Sequence, residues 1–181
     1  MVGVDDAPFE KDQRDPVPIV GAVFADLRLD GILTGRVERD GCDAADAVAA
    51  MVAGSRFRGH VRLVMLQGIA FAGFNVVDVF HLHRILDVPV LVVARRAPDY
   101  GAVRRALETR IPGGREKWRI IERLGPMEPC GGVHVQRVGV GREEATDLVR
   151  RTAVHSRLPE PLRVAHLVAG AVATGHSRGR P

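Results

Sequence analysis

The residue of this sequence best placed to do chemistry is Asp5, an aspartate at the end of a short apolar segment. Residues 2–5 alternate in polarity before Pro8 interrupts them, which predicts a strand with the Asp5 carboxylate at its carboxyl end. Gly3 lies on the same face of that strand, so we expect open space in front of the carboxylate. A hard cation such as Mg²⁺ takes oxygen ligands of this kind, but one carboxylate does not make a metal site.

Other side chains that could complete a metal site fall at the ends of predicted strands and in the turns after them. The acidic candidates are Asp6, Asp40, Asp43 and Asp78, and the amide candidates are Gln67 and Asn75. Aspartates also cap helices and close turns through local hydrogen bonds, so each of the four has a structural role as its alternative. The two amides can offer only neutral carbonyl oxygens.

Several other kinds of site are excluded by the residues and their spacing. The sequence has no GxSxG, Walker A or GxGxxG motif, which disfavours hydrolase triads and nucleotide-binding folds. Cys42 and Cys130 lie far apart without a CxxC pair, so they build neither a zinc ribbon nor a disulfide framework. His81 and His83 would lie about 200° apart on a helix and cannot face one ion. No histidine is therefore predicted to be a metal ligand.

The elements that must position these residues begin with three strands and continue with alternating helices and strands. The predicted strands cover residues 2–5, 18–29, 32–38, 61–66, 88–94 and 133–140. The predicted helices cover residues 44–52, 75–86, 99–110, 114–124, 142–158 and 162–174. Asp30 and Gly31 are a hairpin-turn signal between the second and third strands, which makes the first three strands an antiparallel meander.

This order predicts an α/β fold, a ribonuclease H-like mixed sheet of three antiparallel strands followed by parallel strands and flanked by helices. In that layout the end of the first strand lies beside the end of the fourth, so we expect Asp5 near Gln67. Open α/β sheets bind ligands at such carboxyl ends. The length of 181 residues suits one domain over residues 1–174, followed by a basic, flexible tail over residues 175–181.

The charge and the apolar pattern indicate the class of partner and the compartment. The chain has 26 basic and 22 acidic residues, and all but two of the basic residues are arginines. Such a composition is compatible with nucleic acid, although a compositional bias of the genome would produce the same count. No apolar run reaches the length of a membrane span, and residues 1–6 lack the basic and apolar regions of a signal peptide. We therefore expect a cytoplasmic protein that does not bind membranes.

The arginines are densest after the predicted strand that ends at residue 94. They are Arg95, Arg96, Arg104, Arg105, Arg110, Arg115 and Arg119. The first two lie at the carboxyl edge of the sheet and are predicted to bind phosphate. The alternative for this stretch is a solvated helix face whose arginines pair with nearby glutamates. Phe71, Phe74 and Asn75 are candidates for contacting a displaced base, although both phenylalanines have core packing as their alternative.

Three segments, residues 2–9, 66–78 and 158–166, together resemble the endonuclease dU family, which is related to endonuclease V. The resemblance covers nearly the whole chain. It implies a ribonuclease H-like fold, a divalent metal, Mg²⁺ or Mn²⁺, and cleavage of DNA at deaminated bases in DNA repair, deoxyuridine in particular. DNA that contains deaminated bases is the implied partner.

Carried over residue by residue, the endonuclease V pattern matches this chain unevenly. Asp5 matches its first aspartate, whereas Gln67 stands where the second aspartate is expected. The histidine of endonuclease V falls near Arg142. The acids nearest to its glutamate are Glu38, Asp40 and Asp43, of which Asp40 and Asp43 are the better placed. The resemblance therefore implies a catalytic set of Asp5, Asp40 and Gln67. The implied metal ligands are Asp5, Asp40 and Asp43, with Asp6 or Asp78 as possible additions. The predicted nucleic-acid contacts are Asn75, Arg95, Arg96 and Arg142.

These departures leave two functions open. In the first, the protein is a metal-dependent endonuclease with a rebuilt site, in which Arg142 holds phosphate in place of the histidine. In the second, the metal site has been lost, and the same basic surface binds nucleic acid or a partner without cutting it. The neutral Gln67 favours binding, while the retained Asp5 favours cleavage.

Overall fold

Seven strands form one mixed sheet in the computed structural model, which describes residues 1–10 and 13–177. The strands are β1 Val2–Asp6, β2 Val17–Ala25, β3 Arg28–Val37, β4 Val64–Gln67, β5 Ala70–Phe71, β6 Asn75–Val76, β7 Val90–Ala94, β8 Glu128–Cys130 and β9 Val133–Val138. The helices are α1 Ala44–Ala53, α2 Val79–Leu86, α3 Tyr100–Arg110, α4 Gly114–Leu124, α5 Arg142–Thr152 and α6 Glu160–Thr174. The sheet order is β3-β2-β1-β4-β7-β9-β8, and β5 and β6 form a separate hairpin.

The direction of the strands brings three carboxyl ends to one edge of the sheet. β1 is antiparallel to β2 and parallel to β4, and β4 is parallel to β7. The prediction of an antiparallel meander followed by a strand, helix and parallel strand is therefore confirmed. β9 departs from the predicted parallel pattern, because it runs antiparallel to β7.

Side-chain alternation along these strands gives the sheet two apolar faces. Leu66 and Val92 belong to the cluster that packs with α1 and α2, whereas Met65 and Leu91 belong to the cluster that packs with α5 and the start of α6. The strands are covered on both faces, as their continuous aliphatic sequences predict.

Helix α6 lies directly on β1 because Gly3 has no side chain. A Cβ built on Gly3 would lie 2.3 Å from the carbonyl carbon of Pro161 and 2.6 Å from the backbone nitrogen of Leu162. The expectation that Gly3 leaves open space in front of Asp5 is therefore wrong. The space is filled by the first turn of α6, and the same close approach brings that helix over the end of β1.

The β2–β3 turn was predicted at the wrong residues. The chain turns at Asp26 and Leu27, where Asp26 adopts a left-handed conformation with φ of 55°. Gly31 instead lies inside β3, opposite Val23 and next to an irregularity in the pairing. A Cβ on Gly31 would lie 2.6 Å from the Phe57 ring. The glycine there makes room for an aromatic ring, which a local turn signal cannot distinguish.

The predicted helix over residues 75–86 begins later, at Val79. Asn75 and Val76 pair with Ala70 and Phe71 as the β5–β6 hairpin. Asp78 then caps α2 by accepting hydrogen bonds from the backbone N–H groups of the first turn. The predicted helix over residues 142–158 likewise ends at residue 152, and β8 was not predicted.

Within the described residues, no helix is long and apolar enough to cross a membrane. The single domain over residues 1–174 and the tail over residues 175–181 stay predictions. Residues 178–181 of that tail lie outside the described residues.

Candidate functional site

Three adjacent parallel strands present polar side chains on one face at their carboxyl ends. Asp5 belongs to the end of β1, Gln67 ends β4, and Arg95 follows β7 directly. The register pairs Val4 with Leu66 and Gln67 with Val93, so these ends are level across strands about 4.8 Å apart. The sheet therefore gathers a carboxylate, an amide and a guanidinium that are far apart in sequence.

A fourth polar side chain, His166, reaches this edge from α6. Its Nδ1 lies 2.8 Å from Oδ2 of Asp5 and 3.4 Å from Nε2 of Gln67. The residues of α6 that face the core include Leu162, Ala165 and Ala169. His166 lies one helical turn after Leu162, so the helix period points it toward the sheet as well. The predicted proximity of Asp5 and Gln67 is confirmed, with the histidine joining them.

Burial and hydrogen bonding act in opposite directions on the Asp5–His166 pair. Asp5 is only 4% exposed, and desolvation raises the pKa of its carboxyl, while the hydrogen bond from His166 lowers it. The hydrogen bond to Asp5 is the largest cause of a raised pKa at His166. Arg95 lowers the pKa of both groups through its charge. The imidazole is thus held in one orientation and binds its proton more tightly than an isolated histidine does.

The side-chain oxygen of Gln67 is buried and has no hydrogen-bond partner among the described residues. A buried acceptor left unpaired costs about 1–3 kcal/mol of folding free energy. A ligand that donates to this oxygen, or a cation that coordinates it, would recover that cost. The oxygen is therefore a position at which the site can gain free energy from a ligand.

The side chains of Gln67, His166 and Arg95 border an open cleft of about 480 Å³, whereas Asp5 is buried and does not line it. The cleft is lined by Gln67, Gly68, Val93, Ala94, Arg95, Leu158 and His166. Since Nδ1 of His166 is directed at Asp5, the other ring nitrogen, Nε2, lies on the opposite side of the ring. The cleft thus combines a cationic side chain, a histidine and apolar walls.

Comparison with known proteins assigns the chain to a family. The sequence model of endonuclease dU matches residues 1–173. The chain belongs to the endonuclease dU family. A UPF0215 protein of Deinococcus radiodurans is 49% identical over 179 residues, which cover 99% of this chain and 91% of that protein. A UPF0215 protein of Methanothermobacter thermautotrophicus is 41% identical over 183 residues, which cover 99% of this chain and 90% of that protein.

Solved structures place this endonuclease dU family protein in a known fold. A protein of unknown function from Archaeoglobus fulgidus is 33% identical with a TM-score of 0.87, covering 94% of this chain and 96% of its own. Endonuclease V of Bacillus subtilis is 13% identical with a TM-score of 0.62, and the match covers 96% of this chain and 80% of that protein. Endonuclease V of Ciona intestinalis, in complex with DNA that contains an inosine, is 12% identical with a TM-score of 0.56. The match covers 91% of this chain and 81% of that protein. The predicted ribonuclease H-like fold is confirmed.

In this endonuclease dU family protein, Asp40 and Asp43 are engaged by the turn between β3 and α1. The Asp40 carboxylate accepts a hydrogen bond from the backbone N–H of Phe74 at 2.8 Å and lies 3.5 Å from the Arg39 guanidinium. The Asp43 carboxylate accepts from the backbone N–H of Glu38 at 3.1 Å. Among the described residues, neither carboxylate forms a hydrogen bond or ion pair with Asp5 or His166, so their membership of a metal site stays a prediction.

Asn75 and Asp6 stabilise the same region from inside. The Asn75 side chain is fully buried, accepts from the backbone N–H of Ala44 and donates to the backbone oxygen of Glu38. Asp6 accepts from the backbone N–H of Ala72 at 2.8 Å. Asn75 therefore connects buried backbone groups by hydrogen bonds. A bound nucleic acid would not reach its side chain without rearrangement.

The two remaining predicted arginines lie in different places. Arg96 follows Arg95 and is exposed at the carboxyl edge. Arg142 begins α5, after the end of β9 that pairs with the start of β7, and its guanidinium lies 4.0 Å from Glu128. Arg142 therefore lies near the amino ends of the parallel strands, away from the cleft at their carboxyl ends, and does not stand in for a histidine there.

His166 supplies the histidine of the cleft, a role that was not predicted from the sequence. The available signal was its position one turn after Leu162 on the apolar face of a helix, where a polar residue is unusual. Ligand spacing does not reveal this role, because the partner of His166, Asp5, is 161 residues away.

A divalent ion at this site would need a neutral ligand, the amide oxygen of Gln67, in addition to the carboxylate of Asp5. Within the described residues, no group of three or more His, Cys, Asp or Glu side chains is placed to hold a metal ion. The oxygens available are the carboxylate of Asp5 and the unpaired amide oxygen of Gln67. Both are the hard ligands that Mg²⁺ and Mn²⁺ accept.

Proposed function

We propose that this protein is an endonuclease that cleaves DNA at deaminated bases, deoxyuridine in particular, as a DNA-repair enzyme dependent on Mg²⁺ or Mn²⁺. The observation that carries the proposal is a cleft lined by His166, Gln67 and Arg95 in a chain of the endonuclease dU family, with the buried Asp5 hydrogen-bonded to His166. The inosine-containing DNA bound by Ciona endonuclease V supports a deaminated base as the feature recognised.

In this proposal, Asp5 and the side-chain oxygen of Gln67 hold the divalent ion. A cation beside Asp5 offsets the cost of burying its charge, which is the cause of the raised pKa of that carboxyl. When bound, the ion supplies electrostatic stabilisation of the scissile phosphate and activation of the attacking water. Because Gln67 is neutral, we expect the ion to bind more weakly than it would between two carboxylates.

The other two side chains bind the phosphate and handle a proton. Arg95 lines the cleft and offers paired N–H donors to phosphate oxygens. His166, whose pKa is raised by Asp5, holds a proton on Nε2 and donates it to the leaving oxygen. Asp5 orients the ring through Nδ1 and stabilises the imidazolium before that transfer.

The test is incubation of labelled duplex DNA carrying one deoxyuridine with the purified protein in Mg²⁺, Mn²⁺ or EDTA. We expect cleavage with a metal, none with EDTA, and at least about a 100-fold slower rate for Asp5→Asn and for His166→Gln. Asp46→Asn is the matched control, since Asp46 is 68% exposed and pairs with His81 away from the cleft. Cleavage that survives both EDTA and Asp5→Asn would falsify the proposed mechanism.

The same assay tests the sequence prediction for the two turn aspartates. Asp40→Asn and Asp43→Asn should lower the apparent metal affinity if these side chains reach the ion. A change in stability with an unchanged metal dependence is expected if they serve only the hydrogen bonds described above.

The second candidate function is nucleic-acid binding without cleavage. Gln67 favours it, because a neutral amide lacks the charge with which a carboxylate binds Mg²⁺. Salt-sensitive binding of the deoxyuridine duplex, with no product in any metal, would select this function.

A further inference from the structure

A groove outside the cleft lies between α3 and the tip of the β5–β6 hairpin. It has a volume of about 620 Å³ and is lined by Phe74, Ala102, Val103, Arg105, Ala106, Thr109 and Arg110. Its floor is apolar, and no acidic side chain lines it. Two arginines beside an aromatic ring are the combination with which proteins bind single-stranded nucleic acid.

Arg105 and Arg110 are available to a ligand. Both are exposed, and among the described residues neither guanidinium forms a hydrogen bond or an ion pair. Their neighbour Arg104 differs, because it pairs with Glu108 at 2.9 Å. Positive charge at the groove is therefore not neutralised by the protein itself.

Helix geometry separates the two arginines across the groove. Residues five apart on a helix are separated by about 7.5 Å along its axis and by about 140° around it. Arg105 and Arg110 can thus contact phosphates on either side of a base that lies against Phe74.

The backbone at Phe74 is held in place by Asp40 and Asp6, two aspartates that the proposed reaction does not use. The backbone N–H of Phe74 donates to Asp40, and the backbone N–H of Asp40 donates to the carbonyl oxygen of Ala72. The backbone N–H of Ala72 in turn donates to Asp6. Gly73 has φ of 89°, and a Cβ on it would lie 2.5 Å from Oδ1 of Asp40. The hairpin tip is therefore fixed before any ligand binds, which lowers the entropy cost of binding.

The two walls of the groove directly follow, in sequence, residues that line the cleft. The β5–β6 hairpin begins two residues after Gly68, and α3 begins five residues after Arg95, and both of these residues line the cleft. Both walls of the groove thus extend from strand ends that form the cleft.

From these observations we infer that the groove of Phe74, Arg105 and Arg110 binds a DNA strand next to the cleft, with one base stacked on Phe74 and its flanking phosphates on the two arginines. The inference deepens the proposed function and rests on it for the identity of the ligand. Asp40 is a positioning residue in this arrangement, because it acts on the base through Phe74.

The test is binding of a fluorescein-labelled single-stranded oligonucleotide, measured by anisotropy in EDTA over about 50 to 200 mM salt. The Arg105→Gln, Arg110→Gln double variant should bind more weakly at low salt and reduce the slope of log affinity against log salt by about 1.4, or about 0.7 per lost contact. Arg150→Gln, at an exposed arginine of α5, is the matched control and should keep the wild-type slope.

Phe74→Leu should weaken binding at least about 5-fold with an unchanged salt slope, because a base stack is lost without loss of charge. Phe74→Trp retains a stacking surface and should restore affinity, which separates stacking from folding of the hairpin. Asp40→Ala removes the acceptor for the Phe74 backbone N–H and should raise KM for the deoxyuridine duplex with little change in kcat.

Wild-type affinity and salt slope in the double variant would overturn the inference, as would equal affinities for Phe74→Leu and Phe74→Trp. Because binding is measured in EDTA, its outcome does not depend on cleavage. If the protein cleaves deoxyuridine DNA but its binding is unaffected by these substitutions, the proposed function is supported and the role of the groove is refuted. If the substitutions weaken binding but the protein cleaves no DNA, the role of the groove is supported and the nuclease function is refuted.

Discussion

Replacing Asp6 by asparagine should stabilise this protein at neutral pH and much less at acid pH. Burial is the largest cause that raises the pKa of Asp6, from 3.8 to about 6, and the neighbouring charge of Asp5 adds to it. The carboxyl is therefore easier to protonate in the folded state than in the unfolded chain. Above pH 6 both states are ionised, and the folded state bears the full cost of the buried charge.

The magnitude follows from the shift. About two pKa units at 1.36 kcal/mol each correspond to about 3 kcal/mol of folding free energy lost above pH 6. At about pH 4.5 the folded carboxyl is still protonated while the unfolded one is mostly ionised, so the loss is about 1 kcal/mol. Asparagine keeps an oxygen that accepts from the Ala72 N–H but carries no charge. Asp6→Asn should therefore gain about 2 kcal/mol more at about pH 7.5 than at about pH 4.5.

The assay is urea unfolding of both proteins at the two pH values, followed by circular dichroism. Asp26→Asn is the control, because Asp26 is 72% exposed and its substitution should stay within about 0.5 kcal/mol at either pH. A gain that is equal at the two pH values would refute the reasoning, since it would show that the carboxyl does not titrate abnormally. A loss at neutral pH would show that the negative charge itself fixes the hairpin.

Three further predictions concern the cleft. Gly3→Ala should lower the free energy of unfolding, measured by urea titration, by at least about 2 kcal/mol, because the added Cβ would overlap Pro161. A stability equal to wild type would contradict the close packing of α6 on β1. Asp5→Asn should lower the pKa of His166 in an NMR titration, because the hydrogen bond to Asp5 is the largest cause of its rise, and an unchanged value would count against the pair. Gln67→Asp should tighten Mn²⁺ binding at least about 10-fold by calorimetry, because it puts a second carboxylate beside Asp5; unchanged affinity would place the ion elsewhere.

Local sequence patterns were sufficient for most of the elements. The bounds of α4 were predicted to the residue, and α1 and α3 to within one residue. These helices have caps or glycines at their ends, which act over a few residues and are visible in the sequence. Helix α5 was predicted six residues too long, because nothing in its charge pattern marks the end at Thr152.

Local patterns failed where a residue's role depends on a distant neighbour. Gly31 was interpreted as a turn because the ring of Phe57, which requires it, lies in another segment. Gly3 was interpreted as open space because the helix that fills it begins more than 150 residues later.

The sequence by itself determined that Asp5, Gln67 and Arg95 lie at the carboxyl ends of strands of one sheet, because the order and direction of the strands follow topological rules. Only the tertiary structure decided what covers those strand ends. Helix periodicity shows which side of α6 is apolar but not which part of the sheet receives it, so the pairing of His166 with Asp5 emerges only when the helix docks on Gly3. The antiparallel pairing of β9 with β7 separates the cleft from Arg142, which the resemblance to endonuclease V placed at the position of the histidine.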